Sequence, residues 1–130
     1  MTSATHVQHA RILIVDDEQK NRDLLSVMLE PEGYDIVAVI SGAEALESVS
    51  QQRPDLVLLD VMMPGMDGYQ VATTIKADAA SAGIPIILLT ALDDRNSKAH
   101  GLRAGAVAVL TKPVNRAELL EQVRSTLLAQ

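Results

Sequence analysis

A chain of 130 residues has room for one domain around one core. Hydrophobic residues are 48% of it, but Trp, Phe and Cys are absent, so the core is aliphatic and disulfides, thiolate metal sites and thiol nucleophiles are excluded. A net charge of −6 argues against nonspecific nucleic-acid binding, and no apolar run approaches the roughly 20 residues that cross a bilayer; neither nucleic acid nor membrane is an expected partner, and the cytoplasm is the expected location.

Residues 1–10 have no basic stretch ahead of a long apolar run and read as a short flexible tail, leaving 11–130 as the folded domain. The apolar run 12–15 predicts a first strand, followed at once by Asp16, Asp17 and Glu18. Residues 19–29 then predict a helix with Leu24, Leu25, Met28 and Leu29 on its inner side and Lys20, Arg22 and Asp23 toward water. Pro31 and Gly33 stop it, and 34–39 form a weaker strand. A second helix over 42–51 follows Ser41 as N-cap, with Glu44 three residues on as in a capping box, and Pro54 lies beyond its end.

The run 56–59 predicts the third strand and ends at Asp60. Asp67 caps a third helix over 68–76, and 84–89 is the fourth strand, ending at Thr90. Residues 93–104 are the poorest helix, polar in succession and weakened by Gly101, and are expected to be exposed and mobile. The run 106–110 is the fifth strand, followed by Thr111, Lys112 and Pro113. Asn115 caps a last helix striped by Leu119, Leu120, Val123 and Leu127.

Strands that are apolar throughout suit a parallel sheet covered on both faces, and five alternations of strand and helix predict a single doubly wound α/β domain with five parallel strands and five helices. Ligands of such sheets bind beyond the carboxyl ends of the strands. That edge carries Asp16, Asp17, Asp60, Thr90 and Lys112. Singly, each has an ordinary explanation: the first two aspartates as helix caps, Asp60 as a turn residue, Thr90 as a hydroxyl bonded to its own loop, Lys112 as a solvated strand end. Together they ask for a cation to hold the carboxylates apart, and an all-oxygen donor set favours Mg²⁺. Lys112 and the Thr90 hydroxyl would steady an anion, most simply a phosphoryl group on Asp60.

The segments Ile12-Leu13-Ile14-Val15-Asp16-Asp17-Glu18, Asp55 through Asp60 to Gly68, Leu89-Thr90-Ala91, and Ala104-Gly105-Ala106 through Lys112-Pro113 resemble the receiver domain of two-component response regulators, the chemotaxis-type phosphoacceptor domain, over residues 11–128. The resemblance implies a flavodoxin-like sheet of order 2-1-3-4-5. It further implies Asp60 as phosphoacceptor; Mg²⁺ held by Asp17, Asp60 and the Met62 backbone carbonyl, with Asp16 acting through a metal-bound water; and Lys112 on a phosphoryl oxygen. Thr90 would drive a switch of the face built from the fourth helix, fifth strand and fifth helix. The implied partners are a sensor histidine kinase or a histidine phosphotransfer protein, and a second copy through that face. The implied chemistry is confined to the chain's own aspartate, so the chain is not expected to be an enzyme. The Lys112–Pro113 bond is expected to be cis, as is usual in the family.

Three departures qualify the resemblance. Val109 stands where an aromatic ring usually reports phosphorylation, and Val107 and Ala108 replace acidic residues before it, so the switch is expected to be weaker or to work by helix displacement and dimerisation. Met62 and Leu92 are apolar where side chains would orient an attacking water, which implies slow hydrolysis of the aspartyl phosphate. Met62 and Met63 are otherwise expected as packing residues, and His6, His9 and His100 as solvated.

Residues 1–90 carry five basic and thirteen acidic side chains, net −8, and residues 91–130 six and four, net +2; mixed helix surface explains this more simply than an acidic partner. A Mg²⁺-dependent phosphatase would place a second Asp where Met62 stands and would add a cap domain. A flavin site would need Ser, Thr and Gly where the acidic loop lies. The alternative kept is a phosphorylation-independent pseudo-receiver that acts as an interaction or dimerisation module.

Overall fold

Three apolar runs become strands buried on both faces: β1 (Arg11–Val15), β3 (Leu56–Asp60) and β4 (Ile86–Thr90). With β2 (Asp35–Val39) and β5 (Ala108–Thr111) at the edges they form one parallel sheet of order β2-β1-β3-β4-β5. The structure, a computed structural model, describes residues 9–91 and 95–130. Among these, the helices are α1 (Gln19–Leu29), α2 (Gly42–Gln51), α3 (Gly68–Ala77), α4 (Arg95–Arg103) and α5 (Arg116–Leu128), with a 3-10 turn at Glu30–Glu32. No described helix is long and apolar enough to cross a membrane.

The pleat alternates side chains between two cores. Ile12, Ile14, Leu56, Leu58, Ile87 and Leu89 meet Leu25 and Leu29 of α1 and Leu119, Val123 and Leu127 of α5. Leu13, Val15, Val57, Leu59 and Leu88 meet Ala45 of α2 and Val71, Ala72 and Ile75 of α3. Each large side chain so buried contributes about 1.5–3 kcal/mol by leaving water, which is how a core with no Phe or Trp holds the sheet.

The expected doubly wound class, strand order and helix number are observed, and several details differ. Residues 84–85 and 106–107 precede β4 and β5 rather than belonging to them, and each strand reaches one residue further than expected, to Thr90 and Thr111. Ala10, counted with the tail in the sequence, is 1% exposed and accepts a hydrogen bond from the Asp35 amide; residues 1–8 of the expected tail lie outside the described residues. Leu24 faces solvent, because the inner face of an eleven-residue helix on this sheet is filled by Leu25 and Leu29. Leu120 is only partly buried for the same reason, and Thr126 takes a buried place in α5.

Ser41 caps α2 by accepting from the Glu44 amide, but the Glu44 carboxylate returns to the Ile40 amide, not that of Ser41, so the expected box is displaced by one residue. Asp67 and Gln70 form a full box at α3. Asn115 caps α5 through the Glu118 amide. The start of the expected fourth helix, 93–94, lies outside the described residues; from Arg95 on, Gly101 is the buried member of α4. Lys76, expected only as a helix end, bends back so that its Nζ donates to the carbonyls of Ala82 (2.9 Å) and Ile84 (2.6 Å), tying the loop before β4 to α3. Burial pushes the pKa of this ammonium down.

Candidate functional site

Parallel register brings the acidic strand ends together. Val15 pairs with Leu59, so Asp16 and Asp60 follow at the same level on adjacent strands. Asp60 pairs with Leu89, and Thr90 pairs with Thr111, which sets Lys112 one residue beyond, where its amide donates to the Thr90 carbonyl at 2.7 Å. By the period of two, Asp16, Asp60 and Lys112 continue the rows of Ile14, Leu58 and Leu110 toward α1 and α5. Thr90 continues the row of Leu88 instead, on the sheet face it shares with Val109.

The contacts agree with that parity. Lys112 Nζ lies 2.8 Å from Asp60 Oδ1 and 3.3 Å from Asp16 Oδ2. One carboxylate oxygen from each of Asp16, Asp17 and Asp60 falls within 4.8 Å of the others. Asp16 and Asp60 are buried and Asp17 is exposed, so the cluster has a dry floor and an open mouth. Three hard oxygen donors with an open side fit a small divalent cation that keeps several waters, which is the behaviour of Mg²⁺.

Burial raises the pKa of Asp60 from its ordinary value; the hydrogen bond and charge of Lys112 oppose this, and the charges of Asp16 and Asp17 add to it. Burial lowers that of Lys112, but the hydrogen bond and charge of Asp60, with those of Asp16, outweigh it and the net direction is up. The two directions are compatible because the lysine side chain keeps 22% of its surface and the aspartate only 5%, so removal from water weighs more on Asp60.

Asp16 does not cap α1. Its Oδ1 accepts from the Glu18 amide at 2.9 Å, an Asx turn, and Glu18 is the N-cap, although its carboxylate caps no amide of the helix and accepts instead from the Asn21 side chain at 3.4 Å. Arg22, expected in water, donates from Nη1 to the Asp16 carbonyl at 2.8 Å. Thr90 is fully buried. Met62 is 63% exposed rather than packed, and Met63 alone of the pair enters the core. Leu92, paired with Met62 in the hydrolysis expectation, lies outside the described residues. The Lys112–Pro113 bond is cis, as expected.

Gly68 serves a purpose the sequence hid. It reads as a turn residue, but a Cβ there would collide with the Asp60 carbonyl oxygen and come within 2.8 Å of Val61 Cα. Its amide donates to the Val61 carbonyl at 2.9 Å, so the start of α3 rests directly on the backbone of Asp60. Gly68→Ala is expected to cost about 1–3 kcal/mol through this overpacking, read as a lower denaturant midpoint at unchanged slope; an unchanged midpoint would show that the loop yields freely.

On the opposite face, Val109 leans on α4: a Cβ at Gly101 would meet Val109 Cγ2 at 2.6 Å and Leu88 Cδ1 at 3.0 Å. His100, expected to be merely solvated, stacks on Tyr69 of α3 with ring centroids 3.8 Å apart and planes at 15°. His9 is exposed, and His6 lies outside the described residues. The signal for the stack was present only as two aromatic residues in different helices, which no local pattern joins.

The model of the response regulator receiver domain family matches residues 12–124. Response regulator PleD of Caulobacter vibrioides is 45% identical over 116 residues, 89% of this chain and 26% of that protein, so the chain spans about a quarter of its relative's length. Chemotaxis protein CheY4 of Vibrio cholerae superposes with a TM-score of 0.86 at 30% identity, covering 91% of this chain and 98% of that one. The receiver domain of sensor histidine kinase PA1611 of Pseudomonas aeruginosa, solved with a magnesium ion coordinated in its active-site cleft, gives 0.84 at 34% identity, covering 92% and 98%. With its strand order, its clustered aspartates and this family match over nearly its whole length, the chain belongs to the response regulator receiver domains of bacterial two-component systems.

Proposed function

We propose that Asp60 accepts a phosphoryl group from the phosphohistidine of a sensor histidine kinase or a histidine phosphotransfer protein, in a Mg²⁺-dependent reaction. The observation that carries this reading is the ammonium of Lys112, held 2.8 Å from Asp60 within a cluster of three carboxylates at the open edge of the sheet. Asp17, Asp60 and the Met62 carbonyl would hold the ion, with Asp16 acting through one of its waters. When bound, Mg²⁺ supplies positive charge that neutralises the carboxylates and the incoming phosphoryl oxygens.

An Asp60 carboxylate oxygen forms the new bond to phosphorus while the phosphorus–nitrogen bond of the donor breaks, and the histidine nitrogen keeps that electron pair. Lys112 turns from Asp60 to a phosphoryl oxygen as charge grows there. Access is provided beside the cluster by a groove of about 370 Å³, with Asp16 and Lys112 at its polar end and Leu24, Leu89, Pro113 and Val114 among its walls. An apolar wall with a polar end suits a protein donor better than a small anion. The chain acts only on its own aspartate and is no enzyme in the multiple-turnover sense.

The output passes through Thr90. Its row faces α4 and Val109, so movement of the threonine toward a phosphoryl group draws on the contact between β5 and α4. Without an aromatic at 109, displacement of α4 and pairing of two copies through the α4–β5–α5 face carry the signal; Leu102 and Val107 are exposed there. Incubation with Mg²⁺ and a small acyl phosphate, read by intact mass, tests the reading: one added phosphoryl group supports it. No addition to a folded chain would favour the phosphorylation-independent interaction module.

A further inference from the structure

We propose that Arg22 is a positioning residue for the metal-binding carboxylates, an inference that rests on the reading of Asp16, Asp17 and Asp60 as a Mg²⁺ site. Arg22 stands in the first turn of α1, where its amide closes the helix onto the Glu18 carbonyl at 3.1 Å. Its side chain then folds back past the helix start, and Nη1 donates to the Asp16 carbonyl at 2.8 Å in a partly buried contact. That carbonyl precedes the N-cap, so the helix has no amide to offer it, and without Arg22 it would be left to solvent.

Residue 16 is thereby held on three sides. Its amide donates to the Val39 carbonyl of β2 at 3.2 Å, its Oδ1 accepts from the Glu18 amide at 2.9 Å, and its carbonyl accepts from Arg22. The peptide gripped by Arg22 is the one that leads into Asp17. Asp17 is exposed and its carboxylate makes no hydrogen bond to a described residue, so its aim toward Asp60 depends on how that peptide is fixed. Ligands set by such outer contacts lose metal affinity when the contact is removed.

A guanidinium close to a cation site would, as a charge, weaken cation binding. The contact of Arg22 with the site runs through a backbone carbonyl and not through a carboxylate. We therefore assign its effect to geometry, and geometry and charge make opposite forecasts for its removal. Arg22→Met keeps the apolar stem and deletes the donors; Arg22→Lys keeps a donor of similar reach.

Mg²⁺ affinity is measured by titration calorimetry on the ion-free parent and both variants, with the thermal midpoint as a check on folding and the phosphorylation rate followed against Mg²⁺ concentration. The expected result is about tenfold weaker binding for Arg22→Met at a nearly parental midpoint, with much of the loss rescued by Arg22→Lys. The phosphorylation rate of Arg22→Met is expected to return toward the parental value at saturating Mg²⁺, because the defect lies in holding the ion. Equal or tighter Mg²⁺ binding by Arg22→Met overturns the proposal, as does a loss of affinity that no Mg²⁺ concentration restores in the rate. Failure of the parent itself to bind Mg²⁺ strikes the site reading instead, before any variant is compared.

Discussion

Asp60→Asn is expected to abolish phosphoryl addition altogether while leaving the fold intact. The amide lacks the anionic oxygen that attacks phosphorus, and no second carboxylate of the cluster can take its place: Asp16 is buried and committed to the Glu18 amide and Lys112, and Asp17 is exposed with no ammonium paired to it among the described residues. Intact mass after exposure to Mg²⁺ and an acyl phosphate should show the addition on the parent and none on the variant. An addition to both would move the acceptor elsewhere.

The same substitution tests the electrostatics. Burial raises the pKa of Asp60, so the folded chain binds that proton more readily than the unfolded one. A group so shifted favours the fold below its unfolded pKa and loses that contribution as pH rises through the folded value. At neutral pH the ionised carboxylate is then a burden on the ion-free protein, and Asp60→Asn should melt at the parental temperature or above it. The gap should narrow as pH falls through the carboxylate range. A variant that melts well below the parent at neutral pH would show that the Lys112 pair outweighs the burial.

Lys112→Met is expected to slow phosphorylation by about a hundredfold to a thousandfold, the usual scale for removing one preorganised group that meets growing negative charge. Two further consequences follow from the ion pairs at 2.8 and 3.3 Å. Without the ammonium the three carboxylates repel unrelieved, so the ion-free variant should be less stable than the parent. Mg²⁺ no longer competes with Lys112 for Asp60, so it should bind more tightly. The pKa of Lys112 is raised by Asp60 and Asp16 against the effect of burial, so its stabilising contribution is complete at and below the ordinary lysine pKa and lost only as pH climbs through the folded value. The stability gap between parent and variant should persist through neutral pH and close in strong alkali. A rate within threefold of the parent would remove Lys112 from the transfer step.

Much of this fold is a local matter. Ile12–Val15, Leu56–Leu59 and Ile86–Leu89 are apolar without alternation, a pattern that only a sheet covered on both faces can bury, and all become strands of zero to two per cent exposure. The caps at Asp67 and Asn115 act on amides three residues away, within reach of a sequence pattern. The site residues were legible because strand ends in a parallel sheet fall on one edge, so the order of the chain already groups Asp16, Asp60, Thr90 and Lys112.

What escaped the sequence depends on through-space approach. Arg22 looks like any polar residue on an exposed helix face until the turn at Asp16 brings a carbonyl back under its guanidinium. Gly68 looks like a turn glycine until α3 is laid against the backbone of Asp60. Met62 and Leu24 look like core and point into water, because hydrophobicity names a residue's preference and the available space decides whether it is met. Tyr69 and His100 stack across two helices with no periodic signal to join them. Short-range patterns repeated along the chain were enough for the class of sheet, the identity of the acidic edge and the capped helices. Tertiary structure alone decided which peptide each side chain grips and which face Thr90 shares with Val109, because those depend on register and on distances between segments far apart in the chain.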